Sequence, residues 1–158
     1  MDNKDIAEEW FKIADLDLSS AEFLQKMNPV PIEIICFHCQ QSAEKYLKGF
    51  LALSGEDIKK THDLIQLNKM CQEYDKNFET IAEECLMLTD YGVQVRYPFP
   101  MDVIESDMKV ALRSAQKIKD FVLAKPNTKK SDEESDTEGV SGSRAQSGKT
   151  QERNLLEP

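Results

Sequence analysis

Twice the chain places two prolines one residue apart, at Pro29 and Pro31 and again at Pro98 and Pro100. Neither pair fits a helix interior, because proline has no N–H to donate and its ring collides with the preceding turn. The stretches around these breaks carry apolar residues at three- and four-residue steps, and no alternating strand pattern competes with them. The first helix is expected from about Lys4 to Lys26, with Ile6, Trp10, Ile13, Leu16 or Asp17, Ser20 or Ala21, and Leu24 as its inward line. Pro29 and Pro31 end it and lead into a second helix, about Ile32 to Ser54, which Gly55 closes as a left-handed cap. Thr61 is expected to cap a third helix, about His62 to Glu73, and Asn77 a fourth, about Phe78 to Tyr91, with Ile81, Cys85 and Leu88 inward. Asp102 is expected to cap the last helix, which reaches about Leu123. The fold class is therefore all-α, an antiparallel up-and-down bundle of about five helices.

After Pro126 the composition shifts to Ser, Thr, Gly and charge, with almost nothing apolar before Leu155. Residues 1–126 are read as the helical bundle and 127–158 as a disordered low-complexity tail, either a natural linker or an appended expression sequence. The acidity belongs mainly to the bundle, which holds 15 Lys or Arg against 22 Asp or Glu of a chain whose net charge is −9. Such a surface argues against diffuse nucleic-acid binding, which leaves a footprint of clustered cations, though a localised basic site stays open. With no long apolar run and an acidic, amphipathic start, the chain is expected to be cytoplasmic and to have no membrane partner. In that compartment Cys36, Cys39, Cys71 and Cys85 are expected as buried free thiols rather than disulfides. Cys36, His38 and Cys39 superficially suggest zinc, but His38 points away from the cysteine edge and no second ligand pair follows, so no metal and no cofactor are expected.

The second helix holds the chemistry. Ile32, Ile35, Cys36, Cys39, Ala43, Tyr46, Leu47 and Phe50 form its core face, while Phe37, Gln41, Glu44 and Lys48 form a second line at helical spacing. The plain interpretation of that line is a solvated face with an ordinary Glu44–Lys48 pair. The alternative is that it floors a cleft or lines a dimer interface, with Lys48 reaching a phosphate and Gln41 and Glu44 orienting it or reading a polar edge. Arg96 is the best single candidate for an anion contact, since a guanidinium grips phosphate in a fork, and Tyr91 or Tyr97 are placed to stack on a base. Its competing role is a pair with an acid such as Glu44. His62 and Asp63 fall at the start of the third helix, where Asp63 suits a cap.

Taken together, KIADLDLSSAEFL, CFHCQQSAEKYLKGFL, KTHDLIQL and LTDYGVQVRYP resemble the HEPN family, named for a nucleotide-binding domain of higher eukaryotes and prokaryotes, over about Ile6 to Val122. The resemblance implies an antiparallel helical bundle, a homodimer, and a role tied to nucleotides or RNA. It also implies either an RNA-cleaving toxin or a companion of a small nucleotidyltransferase in a two-gene, toxin–antitoxin-like system. Ribonuclease members carry an Arg followed four to six residues later by His, so that a cation stabilises the phosphorane while imidazole moves a proton. Here Arg96 is followed by Tyr97 and Asp102, and no His occurs after His62. A carboxylate is ionised near neutrality and a poor proton donor there. The expected function is thus a nucleotide- or partner-binding module, not an enzyme, with Gln41, Glu44, Lys48, His62, Asp63, Tyr91, Arg96 and Tyr97 as its site. The alternatives are a ribonuclease toxin built around Arg96 with His62 brought from another helix, and a bundle that only dimerises.

Overall fold

The computed structural model describes residues 1–58, 60–92 and 102–126. Five α-helices, α1 (Asn3–Leu24), α2 (Ile32–Leu53), α3 (Leu64–Gln72), α4 (Ala82–Leu88) and α5 (Glu105–Leu123), make an all-α bundle, and no strand occurs among the described residues. Single 3-10 segments precede and follow α4, at Lys76–Ile81 and Thr89–Gly92. The chain divides into two compact units, Met1–Lys125 and Pro126–Pro158. Beyond Pro126 the second unit, including the expected tail at 127–158, lies outside the described residues.

The helix ends obey local chemistry. Asp2 caps α1, accepting from the Asp5 N–H at 2.9 Å while Asp5 accepts in return from the Asp2 N–H at 3.3 Å. Gly55, at φ 85°, closes α2 as expected: its N–H donates to the Ala52 carbonyl and that of Glu56 to the Leu51 carbonyl, the paired bonds of a Schellman turn. Three expected caps are displaced. Thr61 does not cap α3; Asp63 does, accepting from Ile65 and Gln66, because a carboxylate in extended backbone outcompetes a hydroxyl two residues earlier. Asp75, not Asn77, receives the N–H at the start of the next segment, which is 3-10 where α-helix was expected. Asp102 does not cap α5; Asp107 reaches back to the Ile104 N–H at 3.0 Å.

The core centres on α2, whose expected inward residues Ile35, Cys36, Cys39, Ala43, Tyr46, Leu47 and Phe50 are buried and whose Ile32 is partly buried against them; Ile81, Cys85 and Leu88 are buried as well. Phe50, Phe78 and Phe121 interlock, with ring centroids 4.5 and 4.9 Å apart, and join α2, the segment before α4, and α5. The inward line of α1 is only partly the expected one: Ala21 is buried and Leu24 packs against the core, as expected. Ile13 and Leu16 face out, and the buried positions are Ala7, Ala14, Leu18 and Ala21, with Phe11 packed against the core. Small residues win because α1 lies hard against antiparallel α2. The Ser42 hydroxyl donates to the Ala14 carbonyl at 2.8 Å, and Gly49 leaves room for the Phe11 ring, which a Cβ would meet at 2.4 Å. All four cysteines are free and buried. Burial pushes their thiol pKa values up, to about 11 at Cys36 and about 12 at Cys85.

Candidate functional site

Glu44 is the hub of a buried polar network on α2. Its Oε2 accepts from Lys48 Nζ at 3.0 Å, one turn on, and its Oε1 faces His62 Nδ1 at 2.9 Å, just before α3. Gln40 Nε2 lies 3.4 Å from the same oxygen and donates to the His62 carbonyl at 3.1 Å, while Gln41 Nε2 donates to Gln40 Oε1 at 2.8 Å. Glu44 is 3% exposed and Lys48 5%. The plain interpretation of these residues as a solvated face therefore does not hold; they are a desolvated ion pair with satisfied neighbours. Lys48 Nζ also lies 5.7 Å from the Trp10 ring centroid, which gives the buried ammonium a second favourable neighbour from α1.

The network opens at one edge. The His62 side chain is 49% exposed, and with Nδ1 on the carboxylate, Nε2 is the ring nitrogen that Glu44 does not engage. At the other side the chain closes down on Gln40: a Cβ at Gly92 would lie 2.6 Å from Gln40 Cδ, so the backbone there rests on the amide. Gln41, Glu44, Lys48 and His62 are thus brought together. Asp63 is not part of the network; it caps α3. Tyr91 packs against the hydrophobic core, and burial, followed by neighbouring acidic groups including Asp107 and Asp90, raises its phenol pKa. Arg96 and Tyr97 lie outside the described residues.

Sequence reasoning missed a second cluster of the same design. Asp17 on α1 faces His38 Nδ1 with Oδ1 at 3.0 Å and accepts from Lys45 Nζ with Oδ2 at 2.5 Å. Both clusters bridge one imidazole and one ammonium with a single carboxylate. The available signal was the run His38, Gln41, Lys45, Lys48, at steps of three, four and three along α2, a polar line on an otherwise buried helix. Gln40, fully buried, was also missed, since a glutamine on a core edge has no sequence signature. Among the described residues no group of three His, Cys, Asp or Glu is placed to hold a metal ion, and no helix is long and apolar enough to cross a membrane.

Comparison with known proteins adds what this geometry alone does not supply. The HEPN domain family model matches residues 7–127. The chain is similar to the solved structure of TT1696 from Thermus thermophilus, at 27% identity and a TM-score of 0.62, covering 73% of this chain and 94% of that one. It is also similar to ST0689, an archaeal HEPN homologue, at 25% identity and a TM-score of 0.56, covering 73% of this chain and 93% of that one. No curated protein matches.

Proposed function

The chain belongs to the HEPN domain family, and on that premise we propose that it is a homodimeric nucleotide- or partner-binding module, the companion of a small nucleotidyltransferase in a two-gene, toxin–antitoxin-like system. The observation that carries this reading is the network around Glu44. It is preorganised and desolvated, and it exposes only an imidazole edge and the Gln41 side chain, the economy of a recognition floor. Arg96 follows Gly92, whose backbone rests on Gln40, by four residues in the sequence. In this reading Arg96 grips phosphate, Tyr97 stacks on the base, and His62 Nε2 and the outer Gln41 N–H read polar atoms.

Calorimetric titration with nucleoside mono- and triphosphates tests it. Saturable binding that falls at least tenfold in both Arg96→Ala and His62→Ala is expected. No binding to any nucleotide, together with no complex with a nucleotidyltransferase encoded beside it, would end the reading.

One observation favours a second reading, a ribonuclease. Glu44 and His62 form a carboxylate–imidazole dyad in which Nε2 is not engaged by Glu44, and in this reading Nε2 transfers the proton while Arg96 stabilises the developing charge. Cleavage of transfer RNA or mixed-sequence RNA that disappears in both Arg96→Ala and His62→Ala would establish this activity in place of simple binding.

A further inference from the structure

We propose that the cleft between α4 and α5 binds a small zwitterion of the α-amino acid class, its ammonium on Glu84 and its carboxylate on Arg113. The site shares no residue with the network around Glu44 and does not depend on the proposed function.

Helical periodicity lines the cleft from both sides. Glu83, Glu84 and Met87 share one face of α4, and Val110, Arg113, Ser114 and Lys117 recur at separations of three and four along α5. One ion pair ties the two walls: Lys117 Nζ donates to Glu84 Oε2 at 3.0 Å. The cavity measures about 330 Å³, at the lower end of the range for small-molecule sites. At the roughly 30 Å³ that a water molecule takes in the liquid, it has room for about ten non-hydrogen atoms.

Two polar groups on the buried side of the cleft are unspent. Glu84 Oε1 is buried without a hydrogen-bond partner, the one such side-chain atom among the described residues, although Oε2 of the same carboxylate is engaged. Ser114 is 7% exposed, and its hydroxyl makes no hydrogen bond among the described residues. Ser20 and Ser54, by contrast, each donate to the carbonyl four residues earlier. Buried polar atoms are normally paired, so an acceptor and a hydroxyl left open toward one cavity mark where a ligand's polar atoms sit. At the rim Arg113 is exposed and has no ion pair among the described residues, which leaves its planar fork open to a carboxylate.

Charge selects the class of ligand. The lining holds two acids, Glu83 and Glu84, and two bases, Arg113 and Lys117. A dicarboxylate would meet the acids and a polyamine the bases, whereas a ligand with both signs a few bonds apart opposes neither. Its ammonium donates to Glu84 Oε1, and its carboxylate accepts from the Arg113 guanidinium and the Ser114 hydroxyl. Its side chain lies on Met87 and Val110, an apolar wall suited to leucine or methionine.

Nuclear magnetic resonance titration of the isotope-labelled full chain with each standard L-amino acid, to about 10 mM, tests the site. We expect saturable shifts of the amides in 83–87 and 110–117 with L-leucine or L-methionine. N-acetyl-L-leucine and L-leucinamide each lack one of the two charges and should bind at least about tenfold more weakly. Arg113→Ala should weaken binding at least about tenfold with no change in thermal midpoint, because the exposed guanidinium supports nothing in the fold. Glu84→Gln should weaken it as well, at some cost in stability through the lost Lys117 pair. No shift with any amino acid, shifts confined to other helices, or binding indifferent to acetylation or to Arg113→Ala would overturn the proposal and leave a groove in which water pairs with Glu84 Oε1.

Discussion

Removing either end of the Glu44–Lys48 pair should be unequally costly, and the inequality follows from the remaining partners. Lys48→Met strips the ammonium from Glu44 Oε2, but Oε1 keeps His62 Nδ1 at 2.9 Å and Gln40 Nε2 at 3.4 Å. Glu44→Gln leaves an ammonium that is 5% exposed facing a neutral amide in place of its carboxylate, with the Trp10 ring, 5.7 Å from its centroid, as its other favourable neighbour among the described residues. Breaking a buried pair from one side typically costs about 3–5 kcal/mol. Glu44→Gln should fall in that range, near 4 kcal/mol, whereas Lys48→Met, cushioned by His62, should cost about 2 kcal/mol. The double variant should cost less than the two single losses together, since no charge is then stranded. Urea titrations at about pH 7, extrapolated linearly, resolve differences of this size. Equal losses, the reverse order, or both under about 1 kcal/mol would mean that water reaches the pair, and the description of Glu44 as a desolvated hub would be wrong.

Gly92→Ala should destabilise the fold by about 1–3 kcal/mol, the usual range for overpacking, and more than an exposed Gly→Ala, because the new Cβ meets the pinned Gln40 amide at 2.6 Å; differential scanning calorimetry reads it directly. All four thiols should ignore a disulfide reagent at about pH 8 in the native protein and react fully once unfolded in guanidinium, since burial holds Cys36 near 11, Cys85 near 12 and the other two higher still. Fast reaction of any one in the native state would contradict its burial. Partial burial works against the Asp75 carboxylate, yet the Lys125 ammonium at 2.8 Å and the Asn77 N–H outweigh it and hold its pKa below 3.8. Its stabilisation is therefore complete above the unfolded value near 3.8 and disappears as the pH falls through the lower folded value. Asp75→Asn should lose about 1 kcal/mol near neutrality and flatten the acid limb of the stability profile below about pH 4; an unchanged acid limb would show that another carboxylate sets it.

The helix order was legible because proline and glycine act locally: Pro29 and Pro31 bound α1 and α2 whatever packs on them, and Gly55 takes its positive φ from the turn alone. The face of α1 was not. Periodicity weights large apolar residues, so Ile13 and Leu16 outscored Ala14, whereas close approach to α2 at Ser42 and Gly49 selected the small ones. The polar line of α2 was legible as a line but not as a network. Glu44 and Lys48 are partners at i and i+4 on any helix; that they are buried follows from Trp10 and His62, supplied by other parts of the chain. The capping residues show the same limit on a smaller scale. Thr61 and Asp63 both suit the start of α3, and the choice depends on where the chain arrives from α2.

These facts divide the candidate site into support and contact. Lys48 and Glu44 satisfy one another in a region closed to water, so a phosphate could displace neither without stranding the other charge at a cost of several kcal/mol. Under the proposed function they are positioning residues, and direct recognition falls to groups that keep hydrogen-bonding capacity at the surface. His62 Nε2 is such a group among the described residues, and Gln41 is a second. Substitutions at Glu44 or Lys48 should therefore lower stability first, whereas His62→Ala, which takes a hydrogen-bond partner from the buried Glu44 carboxylate, should cost about 1–3 kcal/mol of stability and, under the proposed function, lower binding by more than that loss explains. Because Glu44 links α2 to the residue that leads into α3, it couples the recognition edge to the core helix.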